Sequence, residues 1–351
     1  MIVNLQIFKL FKYFGVISIF LASPIAKAND LAERCLELAA HQWEYQKGVE
    51  WDQLDPKRAL PVCMEANAAN PNDPKVLSAL ARIHTKLESY ELSLSITKQL
   101  INAGYPPAFR TLGLHYRYGD GVEKDIERAK HYYKKSFEQG FNFAKISLVD
   151  LILLEKSSDN QRAYALSLIE ELMMLKSPQV YNEVGWFYLD EDYGILDEKV
   201  GHNLFLKAHR IDPNYGTQAL ASIHLYGWGV DIDFDKAFDY AKVGEELGLS
   251  WPNYVLGSIY SDTDFDGHDF VKAERYYQAA IKSGDTEAFY GLAWLYFDVS
   301  SPIADDKKAV EFFQKSYDAG DADAARMLAI IFQKGYGTDI ELDRALEIAL
   351  A

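Results

Sequence analysis

From Tyr105 onward the apolar positions of this chain recur at a step of 36 residues, without gaps. Leu112 falls on Leu148, Val184, Leu220, Leu256, Leu292 and Leu328, and Tyr116 on Ile152, Tyr188, His224, Tyr260, Tyr296 and Phe332. Ala129 falls on Ala165, Gly201, Ala237, Ala273, Ala309 and Ala345, and Gly140 on Lys176, Asp212, Gly248, Gly284 and Gly320. The step divides the chain into seven units: 105–140, 141–176, 177–212, 213–248, 249–284, 285–320 and a shortened 321–351. Inside a unit, Ala108, Leu112 and Tyr116 follow one another at i, i+4 and i+8, the spacing of one helix face. Gly119 and Gly121 interrupt that helix. A second helix carries Ala129, Tyr132, Tyr133 and Ser136 and stops at Gly140, as a glycine just past a helix end does. Gly113 and Ala129 let the two helices approach closely, while Tyr116 and Tyr132 fill the space beside them. The pattern predicts an all-α chain of antiparallel helical hairpins. One hairpin cannot bury its apolar face alone, so neighbours must stack and share a core.

The spacing Ala108, Leu112-Gly113, Tyr116, Gly119-x-Gly121-Val122, Asp125, Ala129, Tyr132, Gly140 resembles the Sel-one-like repeat (SLR) family, relatives of the tetratricopeptide repeats. The unit at 213–248 keeps Leu220, Gly227, Gly229, Val230, Asp233, Ala237, Tyr240 and Gly248. Units two, three, five and six lose the Gly-x-Gly loop, and 141–176 is the weakest match. The resemblance covers about 105–351 and implies a right-handed α-solenoid that binds protein partners, in envelope signalling, cell-wall enzyme assembly or host interaction. Before it, residues 70–104 read as a tetratricopeptide-type hairpin, with Asn70-Pro71-Asn72-Asp73-Pro74 as turn and cap. Residues 29–69 read as an N-terminal cap, more loosely similar to a segment that precedes such repeats in exported bacterial members. The last helix, from Leu342, carries apolar Leu346, Ile348 and Leu350, so it is expected to fray or to be covered by a partner.

Composition adds compartment and charge. Of 351 residues, 49% are hydrophobic and 14% aromatic, which marks a folding chain rather than a disordered one. The formal charge of −16, with no Lys/Arg block, disfavours nucleic acid as a partner. Residues 1–28 read as a signal peptide: Lys9 and Lys12, then an apolar Phe14–Ala22 too short to span a bilayer, then Ala26-Lys27-Ala28 as cleavage site. Cleavage after Ala28 places the protein in the periplasm or outside the cell and takes the charge to −19. The two cysteines, Cys35 and Cys63, both follow that site. In an oxidising compartment they are expected to form one disulfide, which stabilises by about 3.5 kcal/mol on the chain-entropy model.

Catalytic signatures are sparse. The sequence has no Gly-x-Ser-x-Gly, no phosphate loop and no His-Glu-x2-His, so no catalytic residue and no cofactor is expected. His224 stands at a core tyrosine position; His202 and His209 are seven apart on one helix. Asp262-Thr263-Asp264-Phe265-Asp266-Gly267 opens like a calcium loop, but Ala273 stands where the bidentate glutamate belongs, which makes it a weak metal candidate. In tetratricopeptide arrays the first helices line the concave face. That alignment points positions 107, 110, 114, 117 and 118 inward, and stepping by 36 collects Trp186, Tyr215, Tyr226, Trp251, Tyr254, Tyr290 and Trp294, with Asp190, Asp262, Glu287 and Asp298. Aromatics rimmed by acids suit an extended or basic peptide. The expected function is an exported scaffold for protein–protein interaction, not an enzyme. The alternative is a cell-wall-acting hydrolase built on the same scaffold.

Overall fold

The structure, a computed structural model, describes residues 24–51, 53–155 and 158–350. The described residues form eighteen α-helices and one 3-10 turn at Glu191–Tyr193, with no strand among them. They divide into two compact units, 1–144 and 145–351. The first holds α1 (Pro24–Ala39), α2 (Pro56–Ala69), α3 (Pro74–Lys86), α4 (Tyr90–Asn102), α5 (Pro107–Tyr118) and α6 (Ile126–Glu138). The second is built from α7 (Ala144–Leu154), α8 (Asp159–Met173), α9 (Pro178–Leu189), α10 (Glu198–Ile211), α11 (Thr217–Tyr226), α12 (Phe234–Glu246), α13 (Pro252–Ser261), α14 (Phe270–Lys282), α15 (Ala288–Phe297), α16 (Asp306–Asp318), α17 (Ala322–Lys334) and α18 (Leu342–Leu350). Residues 1–23 of the expected signal peptide lie outside the described residues. Helix α1 begins at Pro24 and runs through the expected cleavage site. Cys35 on α1 and Cys63 on α2, both fully buried, are joined as a disulfide with their Cα atoms 4.8 Å apart.

The 36-residue step is a burial pattern. Leu112, Leu148, Val184, Leu220, Leu256, Leu292 and Leu328 are all buried on the first helices of their hairpins, and Ala129, Ala165, Ala237, Ala273, Ala309 and Ala345 on the second. The closing column has a backbone reason: Gly140, Gly248, Gly284 and Gly320 all take positive φ, and Lys176 adopts φ 50° in the same place. Asp212 departs from them with an extended φ of −150°.

One acidic column ties six of the seven repeat hairpins together, with Gln161 in its place in 141–176. The backbone amides of Asp125, Asp197, Asp233, Asp269 and Asp305 each donate to the carbonyl of the Tyr116-column residue at 2.8 Å, and Glu341 does the same to Phe332 at 2.9 Å. The carboxylates of those five aspartates also accept from amides in the first turn of the second helix, such as Asp233 from Lys236 at 3.0 Å. Each therefore closes the end of one helix and caps the start of the next, where four amides have no intrahelical partner.

The helices of a hairpin meet through a knob the sequence reading did not assign. A Cβ on Gly113 would lie 2.6 Å from the Tyr133 ring, on Gly185 2.7 Å from Phe205, and on Gly257 2.7 Å from Tyr277. Tyr133, Phe205 and Tyr277 share one column, and glycine faces an aromatic in all three hairpins. In the hairpin of 213–248 the same two columns hold Ala221 and Ala241, both fully buried. Tyr132 does a different job, stacking on Tyr116 at 5.5 Å between ring centroids. That stack recurs as His224–Tyr240, Tyr260–Tyr276 and Tyr296–Phe312. A cation covers several of these rings: Arg128 over Tyr116, Lys272 over Tyr260 and Lys308 over Tyr296.

Candidate protein-binding surface

In the second unit the first helices α11, α13 and α15 touch in sequence, α11 against α13 and α13 against α15. Residues at a fixed place on each helix therefore form rows across that face. The seven aromatics expected to line it separate into two groups. Tyr215 is buried at 9% exposure. Trp186 packs its edge on Phe205 at 5.1 Å, and Trp251 lies where a Cβ on Gly244 of α12 would come within 2.4 Å of its ring. Trp186 and Trp251 thus act as wedges between helices.

Tyr226 and Trp294 stay exposed, and Tyr254 and Tyr290 are half-buried beside them. Tyr226 ends α11, is 43% exposed, and donates from its hydroxyl to that of Tyr254 on α13 at 3.4 Å. Its ring lies 5.2 Å from Trp228. Burial, with the Tyr226 hydroxyl second, pushes the Tyr254 phenol above its ordinary range. Beneath them the buried Tyr277 hydroxyl donates to Ser258 Oγ at 3.2 Å. On α15, Trp294 stands edge-on to Tyr290, Phe297 and Phe313 at 5.6–6.1 Å and is 39% exposed. Ile330 occupies the Trp294 position one step later on α17 and is 44% exposed. Tyr336 is exposed too, with its ring 5.7 Å from Phe297. The sequence reading missed Trp228, Ile330 and Tyr336. Ile330 was reachable by the same step; the other two are the middle residues of Gly-x-Gly loops, outside the columns considered.

The acidic rim resolves differently from expectation. Asp190, Asp262 and Asp298 sit just past their first helices in extended conformation. Each accepts the amide two residues on, that of Asp192, Asp264 and Ser300, at 2.8–2.9 Å. They are Asx turns that replace the left-handed glycine of the Gly-x-Gly hairpins. This also explains the calcium-like loop. Asp262 is committed to the turn, Gly267 gives room to the Phe265 ring, and Asp262, Asp264 and Asp266 do not converge. Among the described residues no three His, Cys, Asp or Glu side chains gather as a metal site. Glu287 is the exception in the rim. It heads α15 with no capping bond from its side chain. Partial burial, then Asp285 and Asp321, push its pKa up.

The histidines serve packing. His224 stacks on Tyr240 at 5.9 Å, as the tyrosines of its column stack in other hairpins. The His202 ring meets it edge-on at 5.6 Å. His209 pairs through Nδ1 with Thr217 Oγ1 at 2.8 Å and does not share a site with His202. Among the described residues no helix is long and apolar enough to cross a membrane.

Known proteins place this architecture. A family model, the Sel1 repeat, matches residues 112–141, 216–249, 254–285, 287–321 and 322–348. An uncharacterized protein of Neisseria meningitidis serogroup B is 26% identical over 245 residues, covering 67% of this chain and 49% of that protein. The chain thus spans about half the length of this curated relative. A Sel1 repeat protein from Oxalobacter formigenes is 19% identical, with 84% of this chain and 87% of that one covered and a TM-score of 0.49. A monomeric mutant of human IFIT1, solved with Gppp-AAAA, is 14% identical, with 92% and 81% covered and a TM-score of 0.50. At such identities the likeness to solved structures is one of fold alone. The repeat motif is matched at five places between residues 112 and 348, so this part of the chain carries Sel1 repeats.

Proposed function

We propose that this chain is an exported scaffold that binds a protein or peptide partner through the first-helix face of its second unit. Sel1 repeats generally serve protein–protein interaction, and they are typically non-enzymatic. The observation that carries the reading is the exposure of Tyr226, Trp294 and Ile330 on α11, α15 and α17, on a face whose other aromatics are packed as supports. Large rings held rigid and left open are the residues that dominate binding energy. Tyr254 and Tyr290 are half-buried beside Tyr226 and Trp294, and Trp186 and Trp251 pack against neighbouring helices. The buried disulfide between Cys35 and Cys63 suits an oxidising compartment, periplasmic or extracellular. Envelope signalling, cell-wall enzyme assembly and host interaction are the roles that fit such a scaffold. The acidic balance of −16 favours a protein over a nucleic acid.

The test is affinity capture from the native compartment with the wild-type chain and with Tyr226→Ala/Trp294→Ala. Truncating a hot-spot aromatic costs at least about 2 kcal/mol, roughly thirtyfold in affinity. The double variant should keep its circular dichroism spectrum and lose the captured partner. A folded double variant that captures the same protein equally well excludes this surface.

A further inference from the structure

The four carboxylates of the first-helix face are not equivalent. Three are occupied: Asp190, Asp262 and Asp298 each accept a turn amide at 2.8–2.9 Å. The Glu287 carboxylate makes no capping bond to α15 and pairs with no basic side chain among the described residues. Its charged neighbours are carboxylates. Asp285, whose Oδ1 accepts the Glu287 amide at 3.1 Å, precedes it; Asp321, bonded to Ser316 Oγ at 2.8 Å, heads the next first helix. The phenols of Tyr226 and Tyr254, linked through their hydroxyls, are pushed up by burial first and by the Glu287 charge after it. The only nearby arginine of α17, Arg326, is turned to Asp323. The exposed rings of Tyr226 and Trp294 thus share this face with a carboxylate that pairs with no basic side chain among the described residues.

We infer that Glu287, with Tyr226, Tyr254 and Trp294, receives a lysine or arginine side chain from an extended segment of the partner protein. The inference rests on the binding surface proposed above and names its chemistry. A cationic head group would hydrogen-bond the carboxylate and relieve the repulsion among Glu287, Asp285 and Asp321. Its aliphatic stem would lie along the exposed rings, with the cation attracted to their faces. An acidic or neutral side chain at that place gains neither. Polyanionic nucleic acid would bring phosphates against three carboxylates.

The test uses the full chain and fluorescein-labelled decapeptide pools. Their flanks are randomised over uncharged residues, and the central position is fixed as Lys, Arg, Gln or Glu. Fluorescence anisotropy should show the Lys and Arg pools binding about tenfold or more tighter than the Gln pool, the scale of one charge-assisted hydrogen bond. Glu287→Gln should erase that preference. Glu246→Gln, which removes the same formal charge from exposed α12, should leave it unchanged. Since the Glu287 side chain makes no capping bond, the variant should melt like wild type. Equal binding of the Lys, Arg and Gln pools, or a preference that survives Glu287→Gln, overturns the inference. If Tyr226→Ala and Trp294→Ala still weaken every pool in that case, the binding surface stands without it. Absence of binding to any pool overturns both. A single-stranded RNA decamer that binds the wild type and loses affinity in Trp294→Ala would overturn the choice of a cationic partner.

Discussion

Two adjacent hairpins of the second unit, α11–α12 and α13–α14, reach the same geometry by different chemistry. In the first, Gly227 ends α11 at φ 74°, and Gly229 lies so close to the preceding hairpin that a Cβ would come within 2.5 Å of Glu198 Cβ. In the second, Asp262 takes the turn in extended backbone and spends its carboxylate on the Asp264 amide. Both return to the same point, where the amides of Asp233 and Asp269 donate to His224 and Tyr260 at 2.8 Å. The helix contact differs as well: small against small at Ala221 and Ala241, glycine against ring at Gly257 and Tyr277. The repeat therefore conserves a shape and a pair of backbone bonds. Residue identity is free wherever a second residue type can satisfy the same donors and fill the same volume.

The comparison can be broken at several levels. The largest effect should be shared. Leu220→Ala and Leu256→Ala each empty a fully buried site and should cost about 2–5 kcal/mol, equal within experimental spread, in denaturant unfolding. Unequal losses would mean that the two cores are not equivalent. Gly257→Ala should come next, at about 1–3 kcal/mol, because its new methyl meets a Tyr277 ring that a Cβ on Gly291 would also meet at 2.6 Å. The opposite exchange, Ala221→Gly, should cost only about 1 kcal/mol, the helix-propensity difference. The loops should be sensitive to different substitutions. Gly227→Ala forces a Cβ into left-handed backbone and should cost about 1–2 kcal/mol. Asp262→Ala leaves the Asp264 amide without its acceptor and should cost about 1 kcal/mol. Urea unfolding of the two variants decides whether the turns are interchangeable in energy as well as in shape.

The smallest effect is one of pH. His224 takes the place that Tyr260 holds in the next hairpin. Burial, then Lys236 and His202, hold its pKa below the ordinary 6.5. The folded form resists the proton that the unfolded chain accepts. The His224 contribution is therefore fully present above pH about 6.5 and is lost as pH falls through the folded pKa. His224→Tyr should flatten the decline of melting temperature between neutral and mildly acidic pH. An unchanged slope would assign that decline to the other histidines whose pKa values burial lowers, His41, His84, His115, His202 and His209.

Much of this was legible in the chain itself, because periodicity reports burial directly. A leucine every 36 residues at a helical face position must be inside, and a glycine just past a helix must be where φ turns positive. The disulfide of Cys35 and Cys63 followed from two cysteines near one end. The face of α11, α13 and α15 was legible only as columns. Sequence collected Tyr215, Trp251, Tyr226 and Trp294 as one set, since all lie at first-helix offsets that turn toward the same side.

What only the tertiary structure decided is which of these side chains another helix already occupies. Trp251 meets Gly244 across two adjacent hairpins, and Trp186 meets Phe205 within one, through contacts set by how the helices seat on each other. The same holds for the acids. Asp262 and Glu287 are both carboxylates in the groove columns, but one sits where the backbone turns and accepts an amide, and the other heads a helix without making a capping bond. Position in a repeat fixes the direction a residue faces. Whether it is spent on the fold or left for a partner depends on the few ångströms between chain segments far apart in sequence, which no spacing along one chain specifies.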